Sequence, residues 1–167
     1  ELNMNEGGNI MYYNNILEVI GNTPLVKINK LNPNPRVLML AKLESLNPGG
    51  SIKDRIGMFM VQKAIESKKL KKGGTVVEAT GAGNTGIGIA ITASILGYKS
   101  ILILPDKVSE EKRNLLKAYG AKIVIAPTSV APEDPRSYYR VADRLAKEIS
   151  GAYQPDQYSN PANPQTH

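Results

Sequence analysis

The run Asn47-Pro48-Gly49-Gly50-Ser51-Ile52-Lys53-Asp54-Arg55 puts one lysine directly behind a glycine turn, where a helix can begin. Glycines let other groups approach the backbone closely, and Lys53 falls in the first helical turn, at the positive end of the dipole. A neutral lysine amine attacks an aldehyde to form a Schiff base and can later move a proton, so the placement suits that chemistry. The same spacing also describes an ordinary surface lysine after a turn. A second run, Gly81-Ala82-Gly83-Asn84-Thr85-Gly86, follows a short apolar stretch and opens a helical one. Backbone N–H groups at such a start face a phosphate or a carboxylate, while Asn84 and Thr85 are expected to reach outward. Read literally, Gly81, Gly83 and Gly86 spell the dinucleotide fingerprint, with Asp106 after the next strand as the acid for a ribose. That fingerprint usually occupies the first strand of its domain, whereas here a long stretch with its own glycine turn comes first. A turn serving only tight packing is a third reading.

The elements that must carry these two runs are legible from periodicity. Strands are expected at 25–28 and 37–43, paired or neighbouring across Asn32-Pro33-Asn34-Pro35. A helix over 52–68 places Ile52, Ile56, Phe59, Met60 and Ala64 on one face, with Ser51 as its N-cap. From Thr75 strand and helix alternate, with strands at 76–79, 100–104 and 122–126 and helices at 84–96, 109–119 and 135–149. Ser109 caps a turn rich in Glu, Gly120 ends that helix, and Asp134-Pro135 reads as an N-cap followed by a first-turn proline. The alternation implies an α/β fold, a small parallel sheet with flanking helices and right-handed crossovers. Residues 1–9 read as a polar, mobile tail, and 160–167 as a loop leading onward without a helix or strand.

With 167 residues and 41% hydrophobic content, the chain can bury one core of ordinary domain size. The absence of cysteine removes disulfides, thiolate metal sites and a cysteine nucleophile, and it suits a cytoplasmic location. No metal site is expected. Much of the net charge of +6 comes from Lys68, Lys69, Lys71 and Lys72 in one turn. With one Phe and no Trp there is no base-stacking surface, so nucleic acid is not expected as a partner. Nor does any run suggest a membrane span or a signal peptide. His167 is the single histidine and lies at the terminus, and Tyr138-Tyr139 reads as packing or surface.

Three ordered signatures, Gly21-Asn22-Thr23-Pro24-Leu25, Pro48 through Arg55, and Glu78 through Gly88, together resemble the cysteine synthase and cystathionine β-synthase family of pyridoxal-phosphate enzymes. An Ala-Tyr-Gly-Ala segment at 118–121 and Gln157 before the Asn-Pro-rich 160–164 add to it, so the resemblance covers 16–167. It implies the N-terminal half of a two-domain, tryptophan synthase β-like fold. On that reading 1–15 is a polar tail, 16–74 belongs to the large domain, 75–152 forms the mobile small domain and 153–167 starts the return. It implies pyridoxal 5'-phosphate as cofactor, with Lys53 as its anchor and as the catalytic base at the substrate α-carbon. Asn84 would hydrogen-bond the phenolic oxygen of the cofactor, and Ala82, Gly83, Thr85 and Gln157 would surround the carboxylate of a small amino-acid substrate.

The implied reaction is β-replacement on serine by homocysteine. The stretch 131–139 together with Asp156-Gln157-Tyr158 is closer to cystathionine β-synthases than to cysteine synthases. Cysteine synthesis from an O-activated serine and sulfide remains open, as do a dinucleotide-binding module and a non-catalytic fragment. A homodimer is implied for the intact enzyme. Two departures stand out. Gly81 looks inserted before the Gly-Asn-Thr-Gly run, which would displace Thr80 from the carboxylate, and the later Gly-Thr-Gly-Gly-Thr type loop that cradles the cofactor phosphate is missing. The chain is therefore expected to be truncated and inactive alone.

Overall fold

A computed structural model describes residues 12–167, and most of the expected tail over 1–15 lies outside the described residues. Where description begins, Asn15 accepts the Leu17 N–H and opens a short 3-10 turn, Ile16–Glu18. Strands β1 (Leu25–Lys27) and β2 (Leu40–Lys42) pair antiparallel with Val26 opposite Ala41. Both are shorter than expected, the second because Asn32 donates its side-chain amide to Val37 O at 2.7 Å and holds the start of that run in the turn.

The rest forms an α/β layer structure. Helix α1 (Lys53–Glu66) precedes β3 (Thr75–Ala79), α2 (Asn84–Leu96), β4 (Lys99–Pro105), α3 (Glu110–Ala118), β5 (Lys122–Ala126), α4 (Tyr138–Glu148), β6 (Ala152–Tyr153) and α5 (Ala162–Gln165). The sheet order is β5-β4-β3-β6, all parallel. The chain steps outward from β3 to β5, and α4 then carries it back to the other side of β3, so a switch point lies between β3 and β6. Ligands of open α/β sheets bind beyond the carboxyl ends of strands at such points.

Alternation along the strands sorts the core into two faces. Val76, Leu102 and Leu104 pack with Ile56, Met60, Val61, Ile87 and Ile89 from α1 and α2. Val77, Ala79, Ile103 and Ala126 pack with Val141 and Ala142 from α4. Helix α2 is buried on all sides from Thr85 to Ala93, as its nearly continuous apolar sequence demands.

Four local expectations are corrected. Helix α1 has Ile52 at its N-cap with no side-chain cap, although Ser51 Oγ does accept the Lys53 N–H at 3.1 Å. Helix α4 starts at Tyr138 behind Ser137, because Asp134 spends its carboxylate on the Arg136 N–H and guanidinium. Strand β6 was not foreseen, being only two residues long. Helix α5 also occurs where only loop was expected, with Asn160 Oδ1 accepting the Ala162 N–H beside a helix-compatible Pro161.

Candidate functional site

Helices α1 and α2 meet backbone to backbone. A Cβ on Gly57 would lie 2.6 Å from Gly88 C and Ile89 N, and one on Gly88 would lie 2.7 Å from Lys53 O. Only glycine permits that approach at these two positions. At the far ends Gln62, Ile65, Leu96 and Tyr98 border one surface cleft, so the helices run the same way and their N-termini lie together. Lys53 and Asn84 are thus the first residues of two touching helices, each half-buried.

The turn before Lys53 is held from both sides. Asp54 is fully buried, and its carboxylate accepts the Gly49 N–H at 2.5 Å while its other oxygen has no partner among the described residues. Burial pushes that carboxyl above its ordinary range, and the Gly49 bond opposes the rise. On the exposed side Arg55 forks onto Glu44, with Nε to Oε2 at 2.8 Å and an Nη2 contact to Oε1 at 2.9 Å, and also donates to Gly21 O at 2.7 Å. Thr23 donates to Glu44 Oε1 at 2.7 Å, and Asn47 accepts the Gly21 N–H at 2.8 Å while donating to Glu44. The Arg55 hydrogen bond leads in holding the Glu44 carboxyl down at about 2. The first two sequence signatures are therefore one network. Asn47 stands in the sequence only as the opening residue of the glycine turn, and nothing there marks Glu44 except its place near residues that prove to be partners.

The glycine loop leaves the carboxyl end of β3. Thr80 is buried, donates its N–H to Ile103 O at 3.0 Å and lies beneath Gly86, whose Cβ position is 2.9 Å from the threonine methyl. Gly81 sits under the hydroxyls of Tyr138 and Tyr158, 3.5 and 3.7 Å from its Cβ position. Ala82 is exposed, and Gly83, at φ 84°, turns the chain into α2 without any side-chain cap. The first N–H groups of an uncapped helix have no intrahelical partner, so they are presented to whatever occupies the loop.

Thr85 differs from expectation. Its side chain is buried, and its hydroxyl donates to Gln157 Oε1 at 2.7 Å. Gln157 in turn donates Nε2 to Ala79 O at 2.7 Å and its backbone N–H to Glu78 Oε1 at 3.2 Å, while its carbonyl accepts from Asn163 at 2.8 Å. Residues far apart in sequence are thereby joined beside the glycine loop. One hydrogen of the Gln157 amide remains for a ligand, together with the loop N–H groups. Asp106, by contrast, is exposed and commits its carboxylate to the hydroxyl and N–H of Thr128, which fastens the segment after β5.

Tyr138, Tyr139 and Tyr158 form a stack over the loop, with centroids 4.0 Å apart in the first pair and 5.3 Å in the second. Burial is the leading cause that pushes the hydroxyls of Tyr138 and Tyr158 above their ordinary value. Among the described residues no group of three or more His, Asp or Glu could hold a metal ion, and no helix is long and apolar enough to cross a membrane.

A family model described as pyridoxal-phosphate dependent enzyme matches residues 16–167. The chain is 50% identical over 153 residues to a cystathionine beta-synthase of Dictyostelium discoideum, covering 92% of this chain and 30% of that protein. It is 45% identical to a cysteine synthase of Staphylococcus aureus, covering 92% of this chain and 48% of that one. Among solved structures, an O-acetylserine dependent cystathionine beta-synthase from Helicobacter pylori superposes with a TM-score of 0.82 at 37% identity, over 94% of this chain and 51% of the other. The chain thus spans between about a third and a half of the length of the relatives it matches.

Proposed function

Because the chain belongs to the pyridoxal-phosphate-dependent enzyme family, we propose that it supplies the cofactor lysine and the substrate-carboxylate loop of an enzyme that replaces the hydroxyl of serine with the thiol of homocysteine, giving cystathionine. Enzymes of this family use pyridoxal 5'-phosphate. When bound, that group stores the charge left on the substrate α-carbon after its proton departs. The donors present fit its reactive ring. Lys53 offers an amine to an aldehyde, and Asn84 offers an amide N–H to a phenolic oxygen, from the adjoining first turns of two helices in direct backbone contact. That juxtaposition carries the reading. A glycine and threonine loop of the kind that would cradle the phosphate does not occur in the sequence.

Lys53 Nζ would hold the cofactor and, once the substrate amine has displaced it and freed its nitrogen, would take the proton from the substrate α-carbon. The N–H groups after Ala82 and Gly83, with the uncommitted hydrogen on Gln157 Nε2, hold the substrate carboxylate, and Thr85 fixes Gln157 in place. The carboxylate is thereby neutralised by aligned dipoles instead of a cation. The division into a small domain over 75–152 and large-domain segments over 16–74 and 153–167, and a homodimer of the intact enzyme, belong to the same reading.

The test is borohydride reduction in the presence of pyridoxal phosphate, followed by peptide mapping. Label on the peptide containing Lys53, and its loss in Lys53→Ala, is expected; label on any other lysine would overturn the assignment. With one covalent anchor and no phosphate cradle, the 167-residue chain by itself is expected to bind the cofactor weakly and not to turn over. A cysteine synthase reading, with O-activated serine and sulfide, draws on the 45% identity to the Staphylococcus aureus protein. Competing homocysteine against sulfide in an enzyme carrying this chain, and identifying the product, separates the two.

A further inference from the structure

At the switch point of the sheet the β3-β6 ladder stops early. Thr75 lies opposite Ala152 and Val76 opposite Tyr153, and no register continues to Glu78. Pro155 has no N–H to contribute, and the chain beyond it peels away from β3. The amides that follow are half-buried against the end of the strand, where acceptors are scarce. They find them on a side chain. Asp156 N–H donates to Glu78 Oε2 at 2.8 Å and Gln157 N–H to Glu78 Oε1 at 3.2 Å. Glu78 itself is 1% exposed. Asp156 takes a left-handed φ of 51° to present the two N–H groups side by side, a conformation that aspartate tolerates better than most residues.

We propose that Glu78 is a positioning residue of the candidate site: by accepting the N–H groups of Asp156 and Gln157 it fixes Gln157 on Thr85, and so sets the geometry of the donors offered to a substrate carboxylate. The inference rests on the functional reading above only for the identity of that ligand. Gln157 has no other tie to the sheet than its Nε2 bond to Ala79 O, the carbonyl next to Glu78. Without the glutamate the loop over 154–160 would hang on that amide, on the Thr85 hydroxyl, on the Gln154 bond to Asp143, on the Asn163 bond to Gln157 O and on the bonds within the loop.

The clasp also carries a charge in a dry place. Burial, opposed by the two N–H bonds, pushes the Glu78 carboxyl up to about 7. The titratable groups around it are Asp156 and Tyr158 in the clasped loop, Tyr153 on β6, and Tyr139, Arg140 and Asp143 on α4; Arg140 and Asp143 are paired with each other at 2.9 Å. Of these Asp156 also raises Glu78, by like charge. Ionisation of Glu78 therefore changes the strength of the acceptor for two specific amides.

Backbone amide spectroscopy and hydrogen exchange on the 15N-labelled chain test this without cofactor. The Asp156 and Gln157 amides are expected to shift with an inflection near 7 in the wild type and to lose it in Glu78→Gln. In Glu78→Ala both amides are expected to exchange at least about tenfold faster, with β3 and β4 protected as before; Glu78→Gln, which keeps one acceptor oxygen, falls between. An inflection that persists in Glu78→Gln would assign it to another group and overturn the proposal, as would unchanged exchange at 156 and 157 or acceleration spread evenly over the sheet. In an enzyme carrying this chain, Glu78→Gln is expected to raise KM for serine about tenfold with kcat nearly unchanged. Equal loss in both constants would defeat the positioning role. Failure of borohydride labelling at Lys53 would defeat the functional reading and leave the exchange result standing.

Discussion

The two helices that carry the candidate site are secured by opposite means. The N-terminus of α1 is tied by charge and hydrogen bonds at a half-open surface, through Arg55, Glu44, Thr23, Gly21 and Asn47. The N-terminus of α2 follows the buried Gly83 with no side-chain cap, and its partner Gln157 donates its N–H to the buried Glu78. One carboxyl is held at about 2 and the other is raised to about 7. A lysine that must stay accessible is braced on its open side by groups that tolerate water, with the buried Asp54 behind them. The loop that must present bare N–H groups is braced by exclusion of water, where each polar group needs a named partner.

The largest effect should come from the seam that both regions share. A Cβ at Gly88 would meet Lys53 O at 2.7 Å and Asp54 Cα at 2.9 Å, both backbone atoms that no rotamer change can clear. Gly88→Ala should therefore cost about 3 kcal/mol or more in urea denaturation, and Gly57→Ala a similar amount. Losses under about 0.5 kcal/mol in both would mean that the helices separate easily, and the juxtaposition of Lys53 with Asn84 would lose its rigid basis.

The next effect separates the regions by pH. Because Glu78 is raised from 4.5 to about 7 in the fold, the folded state binds a proton that the unfolded chain has released. Its contribution is fully present below 4.5 and is lost as pH rises to about 7, amounting to about 3 kcal/mol. Glu44 has the opposite sign: its contribution is present above its ordinary 4.5 and is lost as pH falls through about 2. Stability measured against pH should fall across the first interval in the wild type and fall by clearly less in Glu78→Gln, where Asp54 remains as a raised carboxyl. A slope undiminished by the substitution would place the titration elsewhere.

How much of this was visible beforehand follows from the range over which each feature is determined. Strand and helix alternation from Thr75 onward was legible because each element is encoded by a local period, and α2 was bounded correctly at Asn84–Leu96. The start of α4 was misplaced because two residues three apart, Asp134 and Ser137, are both competent caps, and side-chain contacts within the turn chose Ser137, with Asp134 committed to Arg136 and the Ser137 hydroxyl reaching Pro132 O. The site divides in the same way. Lys53 and the glycine loop are local signals. The Thr85 bond to Gln157 and the clasp on Glu78 join residues on opposite sides of the switch point, and no spacing rule announces them.

A smaller effect tests whether the surface network matters to the fold. Arg55 is partly exposed, so its pair with Glu44 is screened, yet it also satisfies Gly21 O and steadies the turn before Lys53. Arg55→Met keeps the helical propensity and the apolar stem, so its loss isolates the fork. About 1 to 2 kcal/mol is expected, declining with added salt, and a salt-independent loss would point to packing of the stem instead.

The smallest effect is expected two residues earlier, and it gives the sharpest contrast. Lys53 and Arg55 share a helical turn and a charge sign, but where Arg55 forks onto a carboxylate, the Lys53 side chain forms no ion pair among the described residues. A cation in the first turn also opposes the helix dipole, and alanine is a better helix former than lysine. Lys53→Ala should therefore leave the thermal midpoint unchanged, or raise stability by up to about 0.5 kcal/mol, while abolishing covalent capture of pyridoxal phosphate. A residue kept for structure does the reverse, losing stability in proportion to the contacts removed. If Lys53→Ala destabilises the chain as much as Arg55→Met does, the lysine is a structural member of the same network, and the division between a water-tolerant brace and a free amine at the head of α1 fails.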